Sequence, residues 1–178
     1  MDSINKQQPE DNTKHLSGKE AVDKIKELAK SAGAGFFCTK ITTGGMVDAR
    51  PMGPEEIDDH GNMYFLSADD SHKNKHIAED PKVQMFFQGS AHSDFLTLYG
   101  SASISRDKAK IKELWDPIMK TWFTEGEDDP RITVIKFTPE DGYYWDTKHG
   151  NAVAFAKMAF GALTGQTLDD SVEGTIKP

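Results

Sequence analysis

Apolar residues recur along this chain with two different periods. Ala21, Ile25, Leu28 and Ala32 follow helical spacing behind Ser17-Gly18-Lys19-Glu20, whose Ser-x-x-Glu arrangement is that of a capping box. The pattern predicts a helix from Ser17 that ends at Gly33 and Gly35. From Gly35 to Ile104 short β-rich runs alternate with turns. The run 36–42 meets Thr43-Gly44-Gly45, whose glycines supply positive φ angles and return the chain as a hairpin. A second strand, 46–57, is interrupted at Pro51 and Pro54 and so belongs at an edge or a bulge. Asp58-Asp59-His60-Gly61 reads as the turn into a third strand, 63–67. A helix opened by Ser71 and stopped by Asp80-Pro81 precedes strands at 83–88 and 95–104. In the last of these, Leu96, Leu98, Ala102 and Ile104 alternate with Thr97, Tyr99, Ser101 and Ser103, which describes a sheet covered on one side.

Helical spacing returns at 107–122, where Ile111, Leu114, Trp115, Ile118, Met119 and Trp122 share one side and Pro117 divides the segment in two. Trp115 and Met119 are read as core packing. The runs 131–137 and 143–145 close the sheet, and Asn151 caps a last helix through Leu163. This order predicts a mainly β, α+β fold: an antiparallel barrel carrying N-terminal, inserted and C-terminal helices. A parallel α/β sheet fits poorly, because the first three strands follow one another without crossover helices. Residues 1–16 are expected to be a flexible leader, 17–165 one folded domain, and 166–178 a flexible acidic tail.

Charge narrows the partners. The chain has 29 acidic and 21 basic residues, for a net charge of −8. Such a surface repels nucleic acid and anionic lipid, so a phosphate-bearing ligand needs a local positive site. The longest apolar stretch, 152–163, is broken by Lys157 and too short to span a bilayer. The start, Met-Asp-Ser-Ile-Asn-Lys, lacks the apolar core of a secretory signal, which makes the cytoplasm the expected location. A single cysteine, Cys38, excludes an internal disulfide and reads as a buried, inert thiol beside Phe36 and Phe37.

Candidate chemistry gathers at the helix opened by Ser71. Unpaired N–H groups and the peptide dipoles make a helix N-terminus an anion site, and the Ser71 hydroxyl with the Lys73 ammonium would strengthen it. The alternative is that Ser71 only caps the helix while Lys73 sits in water. Arg50 could join Lys73 on a phosphate dianion, or could simply pair with Asp48, Glu55 or Glu56. His72 and His76 have the spacing of two zinc ligands on a helix, but no third ligand follows, so a solvated face is expected. Glu125, Glu127, Asp128 and Asp129 read as a solvated loop in preference to a cation site. No activated serine, Cys/His pair or carboxylate pair is evident, so no catalytic residue is expected and any chemistry belongs to a cofactor.

Several of these segments together resemble a known family. Ala49-Arg50-Pro51-Met52, Phe65-Leu66-Ser67, Ser71-His72-Lys73 and Asp80-Pro81-Lys82-Val83 are similar to the flavin-binding split-barrel proteins related to pyridoxamine 5′-phosphate oxidase. Trp122-Phe123, Gly126-Glu127-Asp128-Asp129-Pro130 and Tyr144-Trp145-Asp146 resemble its general stress protein branch. The resemblance implies a homodimer of split barrels with flavin mononucleotide (FMN) in two clefts at the subunit interface. It places Arg50 at the ribityl or phosphate region, Pro51 and Met52 along the isoalloxazine, Leu66 and Ser67 on ring and ribityl chain, and Ser71, His72 and Lys73 at the phosphate. His72 stands where the oxidases more often carry Arg, which implies a weaker or pH-dependent contact. Trp122 and Trp145 would reach the cleft from the partner subunit. The oxidases' C-terminal Arg-x-His signature is replaced by Trp145-Asp146-Thr147-Lys148-His149, so pyridoxamine-phosphate oxidation is not expected. What is expected is a flavin-binding stress protein or, alternatively, a flavin-dependent oxidoreductase acting on NAD(P)H or another small substrate. Flavin adenine dinucleotide (FAD) and a deazaflavin remain open as cofactors.

Overall fold

Helix α1 (Gly18–Ala32) forms where the helical period predicts it and buries Ala21, Val22, Ile25, Leu28 and Ala29. Gly33, at φ +70°, ends it in a conformation that side chains disfavour. The computed structural model describes residues 11–42, 44–91, 93–150, 157 and 170–178. The expected capping box does not form: Ser17 is the N-cap but its side chain makes no cap hydrogen bond. Its backbone is instead extended and paired, as half of strand β1 (Leu16–Ser17).

The remaining strands are β2 (Gly35–Thr39), β3 (Asp48–Met52), β4 (Glu56–Ile57), β5 (Met63–Ala68), β6 (Lys82–Gln88), β7 (Phe95–Ser105), β8 (Ile132–Thr147) and β9 (Ser171–Lys177). Helix α2 (His72–Glu79) lies between β5 and β6, and α3 (Lys108–Leu114) follows β7. The sheet runs β1-β9-β8-β7-β6-β2-β3, with β5 on β8 and β4 on β5. Every pairing is antiparallel except β1 with β9. The fold is therefore α+β, mostly sheet, with three α-helices among the described residues, and the sheet does not close. Pro51 sits in β3, at the end of the strand path, where a missing N–H costs no ladder bond.

The two closing runs, 131–137 and 143–145, merge into one strand, β8, which spans 16 residues. Its first part lies between β5 and β7, and its last part between β7 and β9. The register shifts after Tyr99, where Gly100 faces Pro139. A Cβ on Gly100 would sit 2.1 Å from the Thr138 carbonyl oxygen, so only glycine admits this approach.

The chain ends correct the expected boundaries. Segment 171–177, read as flexible tail, is β9, with Gly174 and Ile176 buried and Val172 packed on the core. It pairs with β8 and with Leu16–Ser17, while Lys14 and Asn12, read as leader, share backbone hydrogen bonds with Glu173. The two ends hold each other, because each supplies the ladder the other lacks. The expected helix at 151–163 and the leader up to residue 10 lie outside the described residues, Lys157 excepted.

Inside the sheet, Phe37 meets Phe65 edge to face at 5.5 Å and Phe137 at 6.4 Å. A second core joins Ile111, Leu114, Met119, Phe123, Ile132 and Val134 under α3 and the 3-10 helix Pro117–Thr121. The break at Pro117 is as expected, and Asp116 caps the short helix through the Ile118 N–H. Ile118 and Trp122 depart from expectation: they are 67% and 65% exposed instead of completing an apolar stripe. A 3-10 turn after the break rotates them off the buried side. No helix among the described residues is long and apolar enough to cross a membrane.

Candidate functional site

The break in the sheet makes a cleft. On one side β3 is an edge strand; on the other, β5 beyond Tyr64 pairs only with β8, because β4 stops at Glu56 and Ile57. Both edges present backbone N–H and C=O groups without ladder partners. The cleft between them holds about 660 Å³, within the range of small-molecule sites. Pro51, Met52 and Gly53 line it from β3 and the residue after it, 65–68 from β5, Lys73 from α2, and Ile118, Met119, Trp122 and Phe123 from the segment after Pro117. Met52, Leu66, Ile118 and Trp122 give it apolar walls.

Its charges are unequal. Lys73 is the one cation among the lining residues, against Glu55 and Asp116. It is half-buried and makes no ion pair among the described residues. Burial, and then the field of Arg50, hold its ammonium below the ordinary lysine range, with Asp70 opposing. Burial and the nearby Asp116 carboxylate push Glu55 upward. An anion is therefore disfavoured beside Glu55 and favoured beside Lys73.

A buried network holds the helix turn that carries Lys73. The Ser67 hydroxyl donates to Asn74 Oδ1 at 2.8 Å, Asn74 Nδ2 donates to Thr133 Oγ1 at 2.8 Å, and the Thr133 hydroxyl donates to the Ser67 carbonyl at 2.9 Å. These bonds tie the first turns of α2 to β5 and β8, all between groups shielded from water. Ser71 accepts from the Asn74 N–H at 3.4 Å and donates to Asn74 Oδ1 at 3.2 Å. Its hydroxyl is thus engaged as a helix cap, the plainer of the two readings of this residue.

The structure brings together Pro51, Met52, Leu66, Ser67, Lys73 and Trp122 in one cleft and leaves the other expected site residues outside its lining. Arg50 pairs with Asp48 and donates to Thr39 Oγ1 at 3.0 Å. His72 is exposed, its ring 6.3 Å from that of His76. Trp145 lines a separate apolar groove of about 440 Å³ on the outer face, with Phe36, Phe86 and Phe95. Pro51 borders both spaces. Trp122, expected from a partner subunit, reaches the cleft of its own chain. His76 is not on a solvated face: it is 8% exposed, with Nδ1 3.0 Å from Thr39 Oγ1.

Sequence reasoning passed over Glu55, Asp116 and Phe123 in the cleft. It also placed Asp129 in a solvated loop, whereas Asp129 is fully buried and chelated by Arg131 through Nε at 3.0 Å and Nη2 at 2.7 Å. These hydrogen bonds lower its carboxyl to a pKa of about 2. Among the described residues no group of His, Cys, Asp and Glu is placed to hold a metal ion.

Comparison with known proteins bears on this cleft. The family model for pyridoxamine 5′-phosphate oxidase like proteins matches residues 20–169. Protein bli-3 of Neurospora crassa is 25% identical over 113 residues, which cover 59% of this chain and 54% of that protein. General stress protein 26 of Bacillus subtilis is 24% identical over 82 residues, 44% of this chain and 58% of that protein. The matches thus span little more than half the length of these relatives. A solved structure assigned as general stress protein 26 from Jannaschia superposes with a TM-score of 0.74 at 25% identity, covering 89% of this chain and 99% of that one. The general stress FMN/FAD binding protein of Xanthomonas citri superposes at 0.59 with 23% identity, over 70% and 85% of the two chains, and shows a shared fold.

Proposed function

As the chain belongs to the pyridoxamine 5′-phosphate oxidase like family, we propose that it is a flavin-binding general stress protein that takes up FMN in the cleft between β3 and β5. The observation that carries this reading is the half-buried Lys73 in an apolar cleft between two open strand edges. A tricyclic ring needs flat apolar walls and peptide groups for its heteroatom rim; a phosphate needs a cation that no carboxylate already holds. Met52, Leu66 and the backbone beside Pro51 offer the first. Lys73 and the first N–H groups of α2 offer the second, and Arg50 lies near enough to act on the Lys73 charge.

The break between β3 and β5 is then the opening of a split barrel, and the outer groove is the meeting face of a homodimer. Phe36, Phe86 and Trp145 are 57%, 44% and 42% exposed there, more aromatic surface than a monomer ordinarily leaves wet. Because Pro51 borders both spaces, the partner's surface would sit beside the ring and shield it from water. A bound flavin supplies hydride and electron transfer; the chain contributes binding, orientation and exclusion of water. The segment Trp145-Asp146-Thr147-Lys148-His149, which stands in place of the oxidases' signature, supports little or no pyridoxamine-phosphate oxidation. The cytoplasm remains the location proposed.

A flavin-dependent oxidoreductase using NAD(P)H is the second reading. It is favoured by the cleft's exposed Trp122 wall, on which a nicotinamide ring could stack. Anaerobic mixing of the FMN-loaded protein with NADPH separates the two. Bleaching of the flavin band within seconds identifies an oxidoreductase, and an unchanged spectrum identifies a binding protein. Failure of the purified chain to take up FMN or FAD at all removes both.

A further inference from the structure

The two cations of the proposed phosphate site are not equally available. Lys73 faces the cleft without an ion pair among the described residues, whereas Arg50 is engaged. Its Nη1 donates to Thr39 Oγ1 at 3.0 Å, and its Nη2 donates to Asp48 Oδ1. The other oxygen of that carboxylate, Oδ2, lies 3.6 Å from His76 Nδ1, which is also 3.0 Å from Thr39 Oγ1. One cluster thus runs from Arg50 through Asp48 and Thr39 to His76, across β3, β2 and α2. Thr39 is fully buried and His76 nearly so. The charges acting on His76 are Lys40 after β2, Asp48 and Arg50 on β3, and Glu79 on its own helix, with the His72 ring 6.3 Å away.

On the footing of the flavin reading, we propose that Asp48 is an internal competitor of the ligand's phosphate: it pairs with Arg50 and passes to His76 when a phosphate draws Arg50 away. A carboxylate and a phosphate compete for the same planar guanidinium fork. Arg50 lies two residues before Met52 on the same face of β3, and Met52 lines the cleft, so a change of side-chain rotamer redirects its charge along that face without moving the strand. The exchange leaves no carboxylate unpaired, because His76 stands on the far side of Asp48 and can take a proton from solvent to become its new partner. Burial and Lys40 keep that imidazole below the ordinary histidine range while Arg50 is in place, so the proton arrives with the ligand. Asp48 is a positioning residue in this scheme; it sets how strongly the cleft prefers a phosphorylated flavin to one without phosphate.

The test compares FMN with riboflavin, which lacks the phosphate, on the full chain. Asp48→Asn removes the competing charge at nearly constant shape. It should tighten FMN about fivefold, the scale of a partly exposed ion pair, and leave riboflavin unchanged. Calorimetry in two buffers of different ionisation enthalpy supplies a second readout, near pH 7.5 and above the phosphate's second pKa of about 6. The wild type should take up a fraction of a proton with FMN and none with riboflavin, and His76→Gln should take up none with either. Equal or weaker FMN binding by Asp48→Asn, with riboflavin binding intact, overturns the proposal, as does proton uptake that survives His76→Gln. A wild type that binds neither flavin fails differently: it removes the flavin reading on which the exchange rests.

Discussion

Replacing Lys73 with alanine separates a binding role from a structural one, because the two predict opposite signs. Lys73 is the second residue of α2, where the helix dipole is positive, and it is half-buried with no ion pair among the described residues. A cation there costs about 0.3–1 kcal/mol against the dipole, and its burial adds to that. Alanine relieves both and is the better helix former. The ligand-free Lys73→Ala protein should therefore melt about 1–4 °C higher, given roughly 2–4 °C per kcal/mol for a domain of this size. The loss falls on the phosphate. A hydrogen bond to a charged group contributes about 1.5–3 kcal/mol, so the FMN Kd should rise roughly 10- to 150-fold while riboflavin is held as before. Scanning calorimetry of the empty protein and fluorescence titration with the two flavins give both quantities. A lower melting temperature together with an unchanged preference for FMN over riboflavin would refute the reasoning, since Lys73 would then be serving the fold.

Three other outcomes follow from particular contacts. Asp129, paired with Arg131, has a folded pKa of about 2 against an ordinary 3.8, so its stabilising effect is complete above about pH 4 and is lost as pH falls through about 2; Asp129→Asn should flatten that acid limb in urea unfolding, and an unchanged limb would exclude the pair as its source. Gly100→Ala forces a Cβ to 2.1 Å from the Thr138 carbonyl oxygen and should cost about 3 kcal/mol or more, read as a drop in urea midpoint; a cost under about 1 kcal/mol would mean the β7–β8 crossing yields easily. Phe86→Arg places a charge in the exposed aromatic groove and should convert a dimer to monomer in sedimentation; an unchanged mass would move the dimer face elsewhere.

Much of the sheet was legible because its strands carry their own period. The alternation in β7, the Gly44 hairpin and the Ser71 cap depend on residues close in sequence, and each stands where the pattern put it. What escaped depends on distant partners. The segment 171–177 reads as an acidic tail until β8 and the N-terminal segment supply its ladder, which lets Gly174 pass under the Lys14 carbonyl. Ile118 and Trp122 match a helical stripe, and only the 3-10 turn after Pro117 turns them toward the cleft. Motif order named Pro51, Met52, Leu66, Ser67 and Lys73, and the fold gathers these five along one cleft. It left Arg50 open between a phosphate and Asp48, Glu55 or Glu56, and it missed the buried pair of Asp129 with Arg131, because side-chain pairing is decided after the strands are placed.

The central claim is that the cleft beside Lys73 accepts a flavin phosphate, and an equilibrium titration of the purified chain with FMN tests it most directly. Quenching of flavin fluorescence should saturate at one FMN per chain, with riboflavin bound at least tenfold more weakly, as loss of one charge-assisted contact requires. Saturation by FMN and riboflavin at the same concentration, or no quenching by either, would contradict it.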